Sequence, residues 1–433
     1  MNIFKKTVCA ASAALALASY PAKAASPKPM VVETAAMGDC NVSVSNDFEI
    51  LTNPALMELR GSRFSFAGLN LRLNDPREAM DTVKRYAEFF DKLESVPKEQ
   101  KADYMDSFVK SEDKQSLMFG LSLLPSLQLS TRIGTFGLAG FGVSDNILTL
   151  NPKSIEGLVE LQREADRLQG GGLPESKEFV VEKPVDAISV TDAGVAFGYA
   201  KMFDVAGIFK LSGGFNVRGF ERALMDYAPS AKFVIDQGAV VQDVLDGSLD
   251  GKLGPEFSQD ISSEPQVFRG RGYAADLGLL LQKDMGISDV MMGVALKNAY
   301  ANKIYYYDME SGESAGSERD KMQYAVGLSS HPMKLPVLRG LLVAAEMHGV
   351  GSSRSYHAGA SWKLGSRFAI TPKVGMQSGL IDPRGDYSDA MALTAGAMLD
   401  LVVARLGASY SYDTKGSKHQ VGAALSFGYE WDK

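Results

Sequence analysis

Four histidines, His331, His348, His357 and His419, are the side chains of this 433-residue chain that could exchange a proton near neutrality. Hydrolysis would need one of them beside a serine across neighbouring segments, and His357 is the candidate base. No nucleophile elbow, phosphate loop or His-Glu-x-x-His pair is read from the motifs, so His357 reads as an ordinary interior histidine. The chain is expected to be no enzyme and to carry no cofactor or metal. Six further charged residues, Asp276, Lys297, Glu346, Arg367, Lys373 and Arg405, sit among apolar runs. Their mixed signs fit either a selectivity network or a set of mutually paired interior charges. The acidic positions Asp236, Asp243, Asp246, Asp250, Glu256 and Asp260 lack the spacing of a calcium loop and read as a solvated stretch.

The elements that must position these groups repeat with a period of two. In 341–348, Leu341, Val343, Ala345 and Met347 share one face, and Leu342, Ala344, Glu346 and His348 the other. The same alternation puts His357 opposite Tyr356 and Ala358, Lys373 opposite Val374, and Arg405 opposite Leu406. A soluble sandwich and an outer-membrane barrel share this pattern, with the apolar face turned to a core in one and to lipid in the other.

The N-terminus helps to choose. Lys5 and Lys6, an apolar stretch and Ala22-Lys23-Ala24 read as a signal peptide over 1–24, which leaves Cys40 as the single cysteine of the mature chain and allows no internal disulfide. No later run has the length of a membrane-spanning helix, which leaves barrels open. Net charge of −7 with scattered Lys and Arg argues against a nucleic-acid partner. Glycine, 43 of 433 residues, exceeds the usual share of about 7% and often falls on the polar face of strands, leaving interior room for water, a ligand or a plug.

In chain order, residues 25–60 carry little strand pattern and end in the turn signal Asn53-Pro54. A strand follows over 63–73, with a bulge expected near Gly68. Helical inserts are expected at 76–112, with Asp75 as cap and Pro76 in the first turn, and at 154–169. A short apolar run over 117–124 ends at Pro125, and a hairpin spans 126–143. Strands then recur at 192–202, 209–217, 273–282, 290–298, 324–331, 339–348, 355–364, 367–378, 391–399, 402–412 and 419–431. Pro372 implies either a strand beginning after it or a bulge. The total is about fourteen, and long connections alternate with short ones. That is the signature of an all-β, antiparallel outer-membrane barrel spanning 61–433, and aromatic girdles (Tyr410 and Tyr412 at one rim, Tyr429 and Trp431 at the other) agree with it.

Met37-Gly38, Asn46-Asp47, Asn53-Pro54-Ala55-Leu56, Asp276-Leu277-Gly278, Lys297-Asn298 and Lys373-Val374-Gly375 resemble the FadL-like superfamily of outer-membrane barrels, and more closely the conjugal-transfer TraF-type exported barrels. The resemblance implies a fourteen-stranded barrel in the cell outer membrane with residues 25–60 as an internal plug around Asn53, Pro54 and Ala55. Asp276, Glu346, His357, Lys373 and Arg405 would then face the lumen. It also implies passive uptake of hydrophobic small molecules or, alternatively, an accessory role in a secretion or conjugation assembly. Expected partners are outer-membrane lipid and a hydrophobic ligand or, on the alternative, protein partners of an export assembly. Cys40 replaces a usual glycine, and the chain ends in Asp432-Lys433 rather than an aromatic residue.

Overall fold

A computed structural model describes residues 32–97, 100–111, 115–169, 177–182, 185–227, 230–235, 258–262, 266–331, 338–351, 353–365, 368–381, 387–414 and 419–431. The expected signal peptide, Arg367 and most of the acidic stretch lie outside these residues. Fourteen strands form the wall: β1 Ser62–Asn74, β2 Gln115–Thr131, β3 Gly134–Leu150, β4 Val185–Val205, β5 Phe209–Tyr227, β6 Gln266–Asp284, β7 Asp289–Ala301, β8 Gln323–His331, β9 Leu341–Val350, β10 Ser353–Trp362, β11 Ala369–Ile381, β12 Tyr387–Asp400, β13 Ala404–Asp413 and β14 His419–Trp431. Each pairs antiparallel with the next, and β14 pairs with β1 from Ser62 opposite Trp431 to Asn74 opposite Gln420, so the sheet closes. Closure leaves no edge strand. Two further strands, Lys303–Asp308 and Ser314–Arg319, form a hairpin above β7, and a separate three-stranded sheet joins 177–182, 230–235 and 258–262.

Alternation sorts the side chains as expected. On β6 the outward Leu277 and Leu279 are 48% and 54% exposed, whereas Asp276 and Leu280, which flank them, are each 1% exposed. Val343, Tyr356, Val374, Leu406 and Phe427 are likewise exposed on the outside, while Glu346, His357 and Lys373 are buried inside. A continuous exposed apolar belt makes sense only against hydrocarbon, since each such side chain in water forgoes about 1.5–3 kcal/mol. The described helices include none long and apolar enough to cross a membrane.

The wall corrects three sequence expectations. Pro125 does not end a run, because β2 passes through it in unbroken register with β3. The expected bulge in β1, between Ser65 and Gly68, lies on the other side of that proline, so the missing N–H falls where the ladder is already open. Pro372 lies within β11, opposite Ala397 of β12 with no register shift there, so neither a late start nor a bulge applies. Its other side falls between the pairings of Ser361 with Lys373 and Leu364 with Ile370, and no ladder partner loses a donor. Asp75 does not cap a helix. It adopts φ 46°, and its backbone and side chain bind His419 of β14 instead.

The helical inserts, α1 Pro76–Ser95, α2 Lys101–Ser111 and α3 Glu156–Gln169, share a cluster of Phe89, Met105, Val109 and Val159. Phe89 stacks on Phe108 at 4.0 Å between ring centres, and Tyr86 meets Phe108 edge-on at 5.0 Å. These apolar faces are therefore spent on one another.

Candidate functional site

Residues 32–61 lie inside the barrel, and between Ala36 and Met57 almost every residue is buried. Their local structure is short: a turn at Thr34–Asp39, one helical turn at Glu49–Thr52, and a 3₁₀ turn at Pro54–Leu59. Asn53 caps the last of these, its Oδ1 accepting from Ala55 N–H at 3.1 Å, and Pro54 fills the first position, where no donor is needed. The Asn53 amide also donates to Val42 O at 2.7 Å and to Leu279 O of β6 at 3.5 Å. Asn53 thus ties the segment to itself and to the wall. Ala55 O accepts from Ser212 of β5 at 2.9 Å.

The two halves of the inner segment are held by different chemistry. Residues 48–57 contribute Phe48, Ile50, Leu51 and Met57 to an apolar cluster shared with Phe141, Val190, Phe220, Leu224 and Phe268 of β3 to β6, and with Ile304 and Tyr306 of the hairpin. At its base Asp47 meets Arg60 at 3.0 Å, Arg405 at 2.9 Å and Arg63 at 3.4 Å. Burial pushes the Asp47 carboxyl up, yet Arg405, Arg60 and Arg63 together outweigh it and hold the group well below the usual carboxylate range. Arg405 also meets Asp400 and Glu430, at 3.2 and 3.6 Å, so the seam between β13, β14 and β1 is stitched to the segment by ion pairs.

The first half, 34–44, is held by hydrogen bonds. Glu346 of β9 accepts from three successive backbone donors, Asn41 N and Val42 N at 2.8 Å and Ser43 N at 2.9 Å. It also accepts from Ser43 Oγ at 3.1 Å and from His348 Nε2 at 2.9 Å. Consecutive amides turned toward one point form an anion cradle, here filled by a carboxylate of the wall. His357 donates from Nδ1 to Gly38 O, which leaves Nε2 to accept from Ser355 Oγ at 2.8 Å. Thr394 of β12 donates to Ala36 O at 3.1 Å and accepts from Gly38 N at 3.0 Å. Gly38 has φ +70°, and a Cβ there would stand 2.8 Å from Ala358 O, so both backbone and space require glycine.

Asp276 of β6 accepts from Arg218 at 2.6 Å, from Asn216 at 3.0 Å and from the backbone of Asn298 at 2.7 Å. It braces a bulge in β7 between Leu296 and Tyr300. Lys373 is buried on β11, and Lys297 lines a cavity of about 30 Å³ with Asn41, Thr52, Gln323, Tyr324 and His348. A volume of that size admits water and no larger solute. The structure thus brings Glu346 and His357 to the first half of the segment, Arg405 to its base and Asp276 to the wall beside its second half.

Sequence reasoning missed Arg222. It is fully buried and binds Asp192 at 2.6 Å, Glu318 at 2.7 Å and Asp320 at 2.8 Å. Arg222 shares the inward parity of Asp276, which is the signal that could have found it. A Gly-x-Ser-x-Gly spacing does occur, Gly312-Glu313-Ser314-Ala315-Gly316, contrary to the motif reading. It belongs to the tip of an exposed hairpin rather than a strand-to-helix elbow, and none of the ion pairs or hydrogen bonds among described residues joins Ser314 to a histidine. No group of metal-binding side chains occurs among the described residues.

No family model matches this chain, and no curated protein sequence matches it. Solved structures do. The Pseudomonas putida toluene transporter TodX is 12% identical, with 95% of this chain and 100% of that chain covered and a TM-score of 0.47. The Ralstonia pickettii toluene transporter TbuX is 10% identical over 93% of this chain and 99% of that one, with a TM-score of 0.47. A deltaS2S3 mutant of TodX, described as a monoaromatic hydrocarbon channel, is 11% identical over 93% and 99%, with a TM-score of 0.49.

Proposed function

We propose that this chain is an outer-membrane channel for hydrophobic small molecules, closed in the present state by residues 32–61 acting as a plug. The observation that carries the reading is the apolar sector inside the barrel. Phe141, Phe220, Leu224 and Phe268 project inward from the wall and run without interruption onto Phe48, Ile50 and Leu51 of the inner segment. A wall that merely enclosed water would gain nothing from aromatic side chains on its inner face. Here an apolar solute would meet a continuous apolar surface down to the segment that blocks its way.

Two measurements test this. Cells bearing the protein should take up toluene faster than cells without it, and Phe220→Ser should lower that rate while leaving assembly intact. In planar bilayers the intact protein should conduct ions poorly, whereas deletion of 42–57 should open a conducting lumen. If the deletion variant folds and stays non-conducting, the channel reading is to be abandoned.

A second reading has its own support. The lumen is densely filled, and the segment in it makes buried polar contacts to strands on all sides, which suits a static barrel serving an assembly of the TraF-type kind. On that reading protein partners would bind the long loops or the rim that carries the short turns, and uptake would not respond to Phe220.

A further inference from the structure

We propose that the outer surface of β6 and of the hairpin above β7 binds the phosphate groups of an anionic glycolipid in the surrounding leaflet. The outward row of β6 passes from Leu279 and Leu277 through Tyr273, 59% exposed, to Arg271 and Arg269. Cations thus begin where the apolar belt ends, on the rim that carries the long connections. On the hairpin, Lys303, Tyr305 and Tyr307 share the outer face, and Arg319 stands directly opposite Lys303. Asn302 fastens the base of the hairpin to β6, accepting from Tyr273 N at 2.6 Å and donating to Arg271 O at 3.4 Å, and the register of Tyr307 with Arg269 carries down to set Tyr305 level with Arg271 and Lys303 level with Tyr273.

The carboxylates near the patch are engaged or stand apart from its base: Asp308 accepts within the hairpin turn, and Glu310 and Glu313 lie at the tip, at the far end from Lys303 and Arg319. Glu221 of β5 lies opposite Arg271 in register, yet its carboxylate goes to Arg269 at 3.2 Å. Glu318 and Asp320 turn to the other face of the wall, where Arg222 takes them up. Among the described residues Arg271, Lys303, Arg319 and Lys321 make no ion pair, and the Lys303 ammonium lies over the Tyr305 ring at 5.3 Å. Like charges directly opposite on a sheet destabilise it, so the Lys303 and Arg319 pair is best answered by an anion from outside. A lipid fits that need better than a soluble anion does. Its acyl chains would lie on Leu277 and Leu279 while its phosphates reach Arg271, Lys303 and Arg319, with the exposed Tyr273 and Tyr300 at the boundary between them.

The proposal takes the outer-membrane reading for the source of the lipid, but binding can be measured without it. Folded protein in neutral detergent, checked by heat-modifiable migration, is titrated with bisphosphorylated lipid A and examined by native mass spectrometry. The triple variant R271Q/K303Q/R319Q should bind roughly tenfold or more weakly, Arg354→Gln elsewhere on the same rim should bind like the parent, and fully dephosphorylated lipid A should bind the parent as weakly as the variant binds the intact lipid. Equal binding by parent and triple variant overturns the site, as does equal loss with Arg354→Gln. Displacement by millimolar inorganic phosphate overturns the assignment to lipid and makes the site one for a free anion. Failure of outer-membrane fractionation would count against location alone, since the titration does not depend on it.

Discussion

Among the described residues Glu346 gathers more of the inner segment than any other side chain, because one carboxylate oxygen faces two amides and a hydroxyl while its twin faces a third amide and His348. Replacing it by alanine strands three buried backbone amides, besides the Ser43 hydroxyl and His348, and each buried amide costs about 1–3 kcal/mol when left unpaired. The chain carries its own reporter of the outcome. Cys40 is buried at the same seat, and burial, with Glu346 and Asp39 adding to it, pushes its thiol far above the ordinary range, so a maleimide should react slowly with the folded protein. Glu346→Ala is expected to speed that labelling by about tenfold or more, and Glu346→Gln by less because one acceptor remains. Unchanged labelling in Glu346→Ala would show that the segment is held by its apolar half alone. Parity along the strand groups Glu346, His357 and Lys373 on the face away from the apolar belt, and all three are buried. Their partners were not legible, since Asn41 and Glu346 stand 305 residues apart and no local pattern links them.

Strands set how close the segment can come. Four cross-strand glycine pairs, Gly137 with Gly198, Gly214 with Gly278, Gly293 with Gly327 and Gly359 with Gly375, lie on the inner face. A Cβ on Gly214 would stand 2.7 Å from Ala55 N, and one on Gly198 2.9 Å from Ile50, distances that real Cβ atoms do not adopt. These glycines therefore serve close approach of the inner segment to the wall. Gly375→Val should leave the barrel assembled but displace Met37 and Gly38, raising Cys40 labelling. Gly219→Val, outward on β5 with only the Tyr273 ring nearby at 3.5 Å, should not. Strand number and the limits of β14 could be read from alternation, yet β4 and β5 run to 21 and 19 residues, well beyond the expected 192–202 and 209–217. Beyond the lipid belt the outer face turns polar, with Glu221, Arg269 and Arg271, and the contrast that reveals a strand disappears.

At the scale of the molecule, inside and outside are distinguished by what surrounds them. Leu406 is 44% exposed on the apolar belt, and an arginine there would cost roughly 2–4 kcal/mol at mid-bilayer. Leu406→Arg should accordingly lower the yield of heat-modifiable barrel. Arg405→Leu, one residue away, should insert normally and loosen the seam, since Asp47 keeps Arg60 and Arg63. Equal yields from the two variants would contradict the assignment of faces.

The seam has a temporal consequence. Gly61 leads straight from the inner segment into β1, and β1 completes its pairing only with β14, which follows every other wall strand in synthesis. The partners of the segment on β9, β10 and β12 likewise arrive late in synthesis. Residues made before any wall strand are thus among the last to find their place, and such high contact order slows folding. Until then Met37, Phe48, Leu51 and Leu56 have no apolar surroundings of their own, so until the wall closes these groups must be shielded by something other than the chain itself.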